Sequence, residues 1–383
     1  MMVWRGKIML ARQFKIVLFA HGNLDYLRRV LLGVRAFASL QPQWTLHVCP
    51  PTAAGLDEAR RLAPDGLIAS WFDVPLEDVL ALKLPTVLAL TYEHHSRRVT
   101  WVGCDHAAAG ELAARYFLKR GFRVLTAVAT ESHPSITRWD GFERAARRAG
   151  VQAARYAGPA GPGLAQWLVD LPKPAAVYVA ITDLAGPAAE ACQAAGIDVP
   201  GQVAILSGGS DQFVCEMTEP PLSAVDFPYE KLGRTAAAML DRMMRHPNRP
   251  APRPVLMRDF LVVTRRSTDV IATEDADVRT AVTYIREHYG RALSVPEIAE
   301  RTSLGRRALE KRFRLALGRT VLSEIQFVRL EAVKLLLRNT HLPMHAVAGH
   351  CGFPTPERMC LVFRAAEGMT PTLYRQRFST GGV

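Results

Sequence analysis

Two stretches near the C-terminal end carry the residue types best suited to touching a polyanion. In the first, Arg306, Arg307, Glu310 and Lys311 surround Leu309, with Phe313 four residues further on. An α-helix would bury Leu309 and Phe313 on one face and turn the four charged residues outward. An outward Arg or Lys can donate to the N7 and O6 acceptors of guanine in a major groove. In the second stretch, Thr355 precedes Pro356, which reads as an N-cap followed by the first helical position. Met359 and Phe363 then form the buried stripe, leaving Glu357, Arg358 and Cys360 outward.

Each of these helices needs a partner helix and a tight turn to hold it. Upstream of the first, Ser294-Val295-Pro296-Glu297 has the form of a capping box, with Ser accepting from a backbone N–H and Glu reaching back. A short helix follows, burying Ile298 and Ala299, and the charged helix starts near Gly305. Upstream of the second, Val347 and Ala348 take the same place, Gly352 supplies a turn residue free to adopt positive φ, and Phe353 plugs the core. The two units are an internal repeat. RFRLALGRT (312–320) and VFRAAEGMT (362–370) match at Phe313/Phe363, Arg314/Arg364, Ala316/Ala366, Gly318/Gly368 and Thr320/Thr370, at an offset of 50. Two helical hairpins with charged second helices are what paired helix-turn-helix units require. Charge supports this: of a net +12, +8 falls on residues 277–383, where 17 basic residues face 9 acidic ones.

The earlier part of the chain reads differently. FKIVLFA, DGLIAS, TVLAL, VTWVG, RVLTAVA, AAVYVAI and VAILSG are short apolar runs separated by helical patterns such as LDYLRRVLLGVRAFASL and HAAAGELAARYFLKRG. This alternation predicts parallel sheets flanked by helices, and seven strands over about 250 residues suit two lobes side by side. RHPNRPAPRPVL (245–256) interrupts any helix and polarity rises over 262–278, after which no strand pattern survives. The expected organisation is an N-terminal tail over 1–12, an α/β two-lobed domain over 13–268, a linker over 269–276 and an all-α domain over 277–383. The two helix-turn-helix motifs lie at about 294–317 and 344–367. Six cysteines without CxxC or framework spacing fit a reducing compartment, and neither a signal-peptide core nor a membrane span is seen, so the expected location is the cytoplasm.

LSVPEIAERTSLGRRALEKRF and HAVAGHCGFPTPERMCLVFRAAEGMTPTLYR together closely resemble the AraC/XylS-type DNA-binding domain. By position the resemblance implies that Arg306, Arg307, Glu310 and Lys311, and Thr355, Glu357, Arg358 and Cys360, lie on the two recognition helices. It also implies a double-stranded DNA operator as partner. Two positions depart from the family: Leu361 stands where a basic residue is common, and Gly305 where serine is common. The second unit is therefore expected to read fewer bases and the first to be less firmly capped. The preceding region is similar to a periplasmic-binding-protein fold, as in LacI-type repressors, through VGCDHAAAGELAARYFLKRGF, ITDLAGPAAEACQAAGIDVPGQVAIL and EPPLSAVDFPYEKLGRTAAAML. The order of the two resembles the xylose-operon regulator group.

In such a fold, loops at strand C-terminal ends line a cleft for a small polar ligand, which calls for charged groups and often an aromatic face. Arg28, Arg138 with Trp139, and Asp183 follow predicted strands, and the family pattern supports Arg28, Arg138 and Asp183 as ligand contacts. Surface ion pairs and helix caps are the alternatives for each, and for Asp105 as well. Gly209 stands where a sugar-contacting Asp is usual, leaving Asp211 as its substitute or the effector as something other than a pentose.

An enzyme reading fails because Gly208-Gly209-Ser210 is followed by Gln212 rather than glycine. A metal site drawn from His341, His345, His350, Cys351 and Cys360 is opposed by Pro343. A transport-binding protein would not need the repeat. The expectation is a ligand-responsive transcription regulator without cofactor, metal or catalytic residues. It is expected to act as an activator and homodimer, with a sugar effector and RNA polymerase as a candidate partner.

Overall fold

The apolar runs become two six-stranded sheets in the computed structural model, which describes residues 13–21, 24–70, 73–90, 98–273 and 275–378. The expected 1–12 tail lies outside the described residues. The first sheet comprises β1 (Phe14–Phe19), β2 (Trp44–Cys49), β3 (Gly66–Ala69), β4 (Thr86–Ala89) and β5 (Thr100–Cys104). The second comprises β6 (Val124–Val128), β7 (Ala153–Tyr156), β8 (Ala175–Val179), β9 (Val203–Ser207) and β10 (Ser223–Asp226). β11 (Val255–Met257) then returns to the edge of the first sheet and β12 (Leu261–Val263) to the edge of the second. The orders are β11-β5-β4-β3-β1-β2 and β12-β10-β9-β8-β6-β7, parallel throughout except for β10 with β12. Each sheet therefore reverses its winding beside its first strand, between β1 and β3 and between β6 and β8. A crevice opens there at the strand C-terminal ends.

Helices α1 (Asp25–Ala38), α2 (Ala53–Leu62), α3 (Leu76–Leu80) and α9 (Tyr229–Arg245) belong to the first lobe. The second has α4 (His106–Lys119), α5 (His133–Arg148), α6 (Pro162–Asp170), α7 (Ala185–Ala194) and α8 (Gln212–Met217). One helix pair in each lobe crosses at backbone contact. A Cβ on Gly33 of α1 would land on the Glu230 carbonyl, and one on Gly233 of α9 on that of Val30. Gly110 of α4 and Gly141 of α5 stand in the same way against the carbonyls of Arg138 and Ala107.

The chain passes between lobes three times, near Asp105, at 227–228 and at 258–260. Arg258 Nε donates to Asp105 Oδ2 at 2.8 Å, and Lys231 pairs with Asp259. Phe227 packs on Phe260 and Tyr229 with ring centroids 5.0 and 5.5 Å apart. Asp105 is thus held as a helix N-cap, its other oxygen accepting from Ala108 N.

The C-terminal part is all helical: α10 (Ala276–His288), α11 (Val295–Ala299), α12 (Arg306–Leu317), α13 (Val321–Asn339), α14 (Met344–His350), α15 (Pro356–Glu367) and α16 (Pro371–Phe378). It has two cores that share the 19-residue α13. Val321 and Ile325 pack with Ile298, Leu309 and Phe313, while Leu330, Val333 and Leu337 pack with Val347, Met359 and Phe363. Packing passes from one domain to the other at Ile271, which joins the first helical core, and Ala272, which joins that of the lobes.

α13 also touches the lobes at both ends. Arg319, just before it, donates to the Lys119 carbonyl at the end of α4 and pairs with the fully buried Glu324. The Arg120 guanidinium lies 3.6 Å from the Tyr116 ring centroid and 5.6 Å from that of Phe327. At the far end, Arg338 comes within 3.8 Å of Asp226, the last residue of β10 before a crossing segment.

Substitution Gly110→Ala forces α4 and α5 apart and is expected to cost about 1–3 kcal/mol in urea unfolding. Gly186→Ala, where the added methyl meets nothing within 4 Å, is expected to gain about 0.5 kcal/mol.

Candidate functional site

Two constellations emerge, one in the crevice between lobes and one on the outer face of the helical domain. In the crevice, Arg138 on α5 comes from the winding-reversal point of the second sheet. It is buried, donates through Nη1 to the Ala180 carbonyl after β8 and through Nε to His106 Nδ1 at 3.0 Å, and lies 4.9 Å from the Phe227 ring centroid. Its guanidinium thus connects the end of β8 to the first residue of α4 and to Phe227 on a crossing segment. Trp139 beside it turns into the core against Phe142. The aromatic face expected at 139 is therefore occupied by packing, because only one of two successive helical residues can face the crevice.

Arg28 is exposed on α1, 3.7 Å from Asp25 one turn earlier. Asp183 is exposed in the 3-10 turn after β8. Asp211 caps α8, accepting from Val214 N at 3.0 Å. Asp25 went unnoticed in the sequence. Burial raises its carboxyl above the ordinary range; Arg29 opposes the rise, and Asp211 from the other lobe adds to it. One of these carboxylates stands at the start of a first-lobe helix and the other at the start of a second-lobe helix. Gly209 has a steric reason: a Cβ there would collide with Thr182 Oγ1. A side chain at 209 would require Thr182 to turn aside.

Arg29, the neighbour of Arg28, was also missed. It pairs with Glu230 at 2.7 Å and with Asp226 at 2.9 Å, and donates to the Phe227 carbonyl. Asp226 is therefore shared between a first-lobe helix and Arg338 of α13. These residues lie 197 and 112 positions from Asp226, so no local pattern could have announced them.

On the helical domain, α12 and α15 are superposable by sequence offset. Both are capped at the C-terminal end by a left-handed glycine, Gly318 and Gly368, and both bury the offset pairs Leu309/Met359 and Phe313/Phe363. Arg306, Arg307 and Lys311 are exposed, while Glu310 is half-buried and bonded to Arg306 at 3.1 Å. Arg307, Glu310, Lys311, Arg314 and Leu315 line the outer side of α12. On α15, Glu357 and Arg358 are exposed, and Thr355 Oγ1 accepts from Arg358 N at 3.2 Å as the expected cap. Cys360 corrects the sequence reading: it is half-buried and packs against the second core rather than pointing outward.

The capping box before α11 also forms only in part. Ser294 accepts from Glu297 N, but the Glu297 carboxylate turns to Tyr284 Oη and Arg291 instead of reaching back. Gly305 caps α12 with no side-chain bond. Gly352 does take positive φ, at 72°, and a Cβ there would collide with the Tyr289 carbonyl oxygen. Burial pushes the Cys351 thiol up to about 11, and among the described residues no group of three His, Cys, Asp or Glu could hold a metal ion. No helix among them is long and apolar enough to cross a membrane.

Comparison with known proteins bears on both domains. Residues 114–268 match a periplasmic binding protein-like domain, and residues 298–377 a helix-turn-helix domain. The chain is 26% identical to the xylose operon regulatory protein of Escherichia coli (strain K12), over 96% of this chain and 98% of the relative. It is 24% identical to the protein of that name from Haemophilus influenzae, over 96% and 99%. The solved structure of a xylose-binding transcription activator covers 97% of this chain and 100% of its own at TM-score 0.61 and 24% identity. A LacI family regulator from Enterococcus faecium with bound ribose covers 68% of this chain and 99% of its own at TM-score 0.55 and 19% identity.

Thr355→Ala removes a formed cap and is expected to lower stability by about 1 kcal/mol, whereas Gly305→Ser adds one to an open position and gains a few tenths of a kcal/mol. Denaturant titration of the two variants checks both signs.

Proposed function

Because the chain is a ligand-responsive, DNA-binding transcription regulator, an AraC-type reader behind a periplasmic-binding-protein-like sensor, we propose that its effector is a sugar of the pentose class. The carrying observation is the unbroken match to xylose operon regulatory proteins through both domains. The crevice chemistry supports it. Asp25 and Asp211 are acceptors and Arg28 and Arg138 donors, contributed from both lobes, as several hydroxyls on one ring would require. Asp183 completes the rim. A non-pentose effector is the second reading, favoured by the side-chain-free position at Gly209.

Arg307 and Lys311 read guanine edges from α12, with Arg306 and Glu310 setting each other's position through their ion pair. Thr355 and Arg358 orient α15 on the duplex, the first as cap and the second as donor. The regulator acts in the cytoplasm as a homodimer and activator, paired readers meeting paired half-sites beside RNA polymerase.

Closure of the lobes on sugar reaches the reader through Asp226. Arg29 moves with the first lobe and Arg338 with α13, and both hold this one carboxylate at the crossing. The effector acts because it binds the closed arrangement better than the open one.

In duplex titrations at fixed salt, Arg307→Ala or Lys311→Ala is expected to lose about 1–3 kcal/mol of specific binding. Unchanged affinity and sequence preference would remove both from the reading surface. In thermal shifts against D-xylose, other pentoses, hexoses and sugar acids, a pentose at about 100 times its Kd should add roughly 2.7 kcal/mol. A response confined to hexoses or sugar acids would refute the pentose assignment. Arg338→Met should keep the sugar-induced thermal shift and lose the sugar's effect on DNA affinity, and an intact effect would rule out the Asp226 route.

A further inference from the structure

The 50-residue offset that superposes α12 on α15 also pairs their outer faces. Arg307 corresponds to Glu357 and Lys311 to Leu361. A cation in the first unit is thus replaced by an anion in the second, and a second cation by an alkyl chain. Leu361 is 63% exposed, although Met359 and Phe363 on the same helix are fully buried. A single exposed leucine is ordinary on a protein surface. This one lies in the second turn of a helix whose neighbours on the same face are Glu357, Arg358 and Arg364, all charged and all exposed. The N-terminal turns of a recognition helix are the ones that reach base edges. Leu315, also exposed, lies a turn further along α12.

The two faces ask for different bases. Arg and Lys donate to the acceptor pair of guanine, whereas a carboxylate accepts from the cytosine N4 amino group and an alkyl side chain packs on the C5-methyl of thymine. Glu357 is available as that acceptor. Backbone and Thr355 hydrogen bonds at the helix start hold its carboxyl below the usual range, so it is ionised at neutral pH.

We propose that the second unit reads bases as the first does but with different chemistry: Leu361 recognises a thymine C5-methyl, and Glu357 a neighbouring cytosine, so that the two units select unlike sequences. This rests on the reading of α12 and α15 as the DNA-contacting helices. Leu361 is then a specificity determinant, and its departure from a basic residue exchanges one base preference for another.

The experiment starts from duplexes selected out of random sequence by the full chain, with the segment under each unit located by footprinting. Thymines are then replaced one at a time by deoxyuridine, which removes the methyl and leaves base pairing intact. At one thymine under the second unit, the unsubstituted protein should lose about three- to fivefold in affinity, the worth of one packed methyl. Leu361→Ala should bind thymine and uracil duplexes equally, and Leu361→Arg should shift selection toward guanine at that position. The side chain is exposed, so both variants should keep the parent's unfolding transition. Equal binding of thymine and uracil duplexes at every position under the second unit would overturn the inference, as would discrimination surviving in Leu361→Ala. Selection of no sequence at all would overturn the DNA-contacting reading itself, and this inference with it.

Discussion

The arrangement of the whole molecule depends on one carboxylate. Asp226 ends β10 just before the chain crosses between lobes, and it is held by Arg29 from one side and approached by Arg338 from the other. Partly buried charges cost less when paired, and removing one partner leaves the other's penalty behind. Any rearrangement of the lobes must therefore keep Asp226 satisfied, and the reading domain supplies part of that satisfaction. A helix that forms the shared core of two helix-turn-helix units is in this way tied to a segment where the chain crosses between the sensor lobes.

The other end of α13 is anchored by different means. Arg319 binds the Lys119 carbonyl and the buried Glu324, and Arg120 lies against Tyr116 and Phe327. Arg120 belongs to the lobes and Phe327 to the helical domain, so the contact joins the two through a cation on aromatic rings. Burial alone would raise the Glu331 carboxyl on the same helix, but Lys334 and then Arg120 outweigh it and keep it ionised. One helix thus mixes apolar contacts toward both reader cores with charged contacts toward the sensor, which explains its weak amphipathic pattern.

Much of this was legible in the residues, for identifiable reasons. All seven expected strands exist because buried parallel strands are continuous apolar runs. β2, β7, β10, β11 and β12 were missed; they are edge or near-edge strands, of which β2, β7 and β10 carry polar residues and β11 and β12 are only three residues long. α5 begins at His133, with Pro134 in its first turn. The caps at Asp105, Ser294 and Thr355 were readable from local spacing, but the fate of Glu297 was not, since Tyr284 and Arg291 compete for it from α10 and the following loop. In the crevice, Arg138 was found and its role as a strut from the end of β8 to α4 and Phe227 was not. Arg29, Asp226 and Arg338 carry no signal at all, being joined only by the fold.

The reciprocal glycine crossings have a consequence for how such a sensor can change over time. α1 carries Arg28 and Arg29, α5 carries Arg138, and each is locked to its neighbour where two backbones touch. Drift in those helices is closed off, since even a methyl at Gly33 or Gly141 has no room. Change is freer in the segments that run out of the strand ends, around Asp183 and Asp211, which stand outside those helix crossings. A lineage built on this frame can vary those segments without moving the helix pairs beside them.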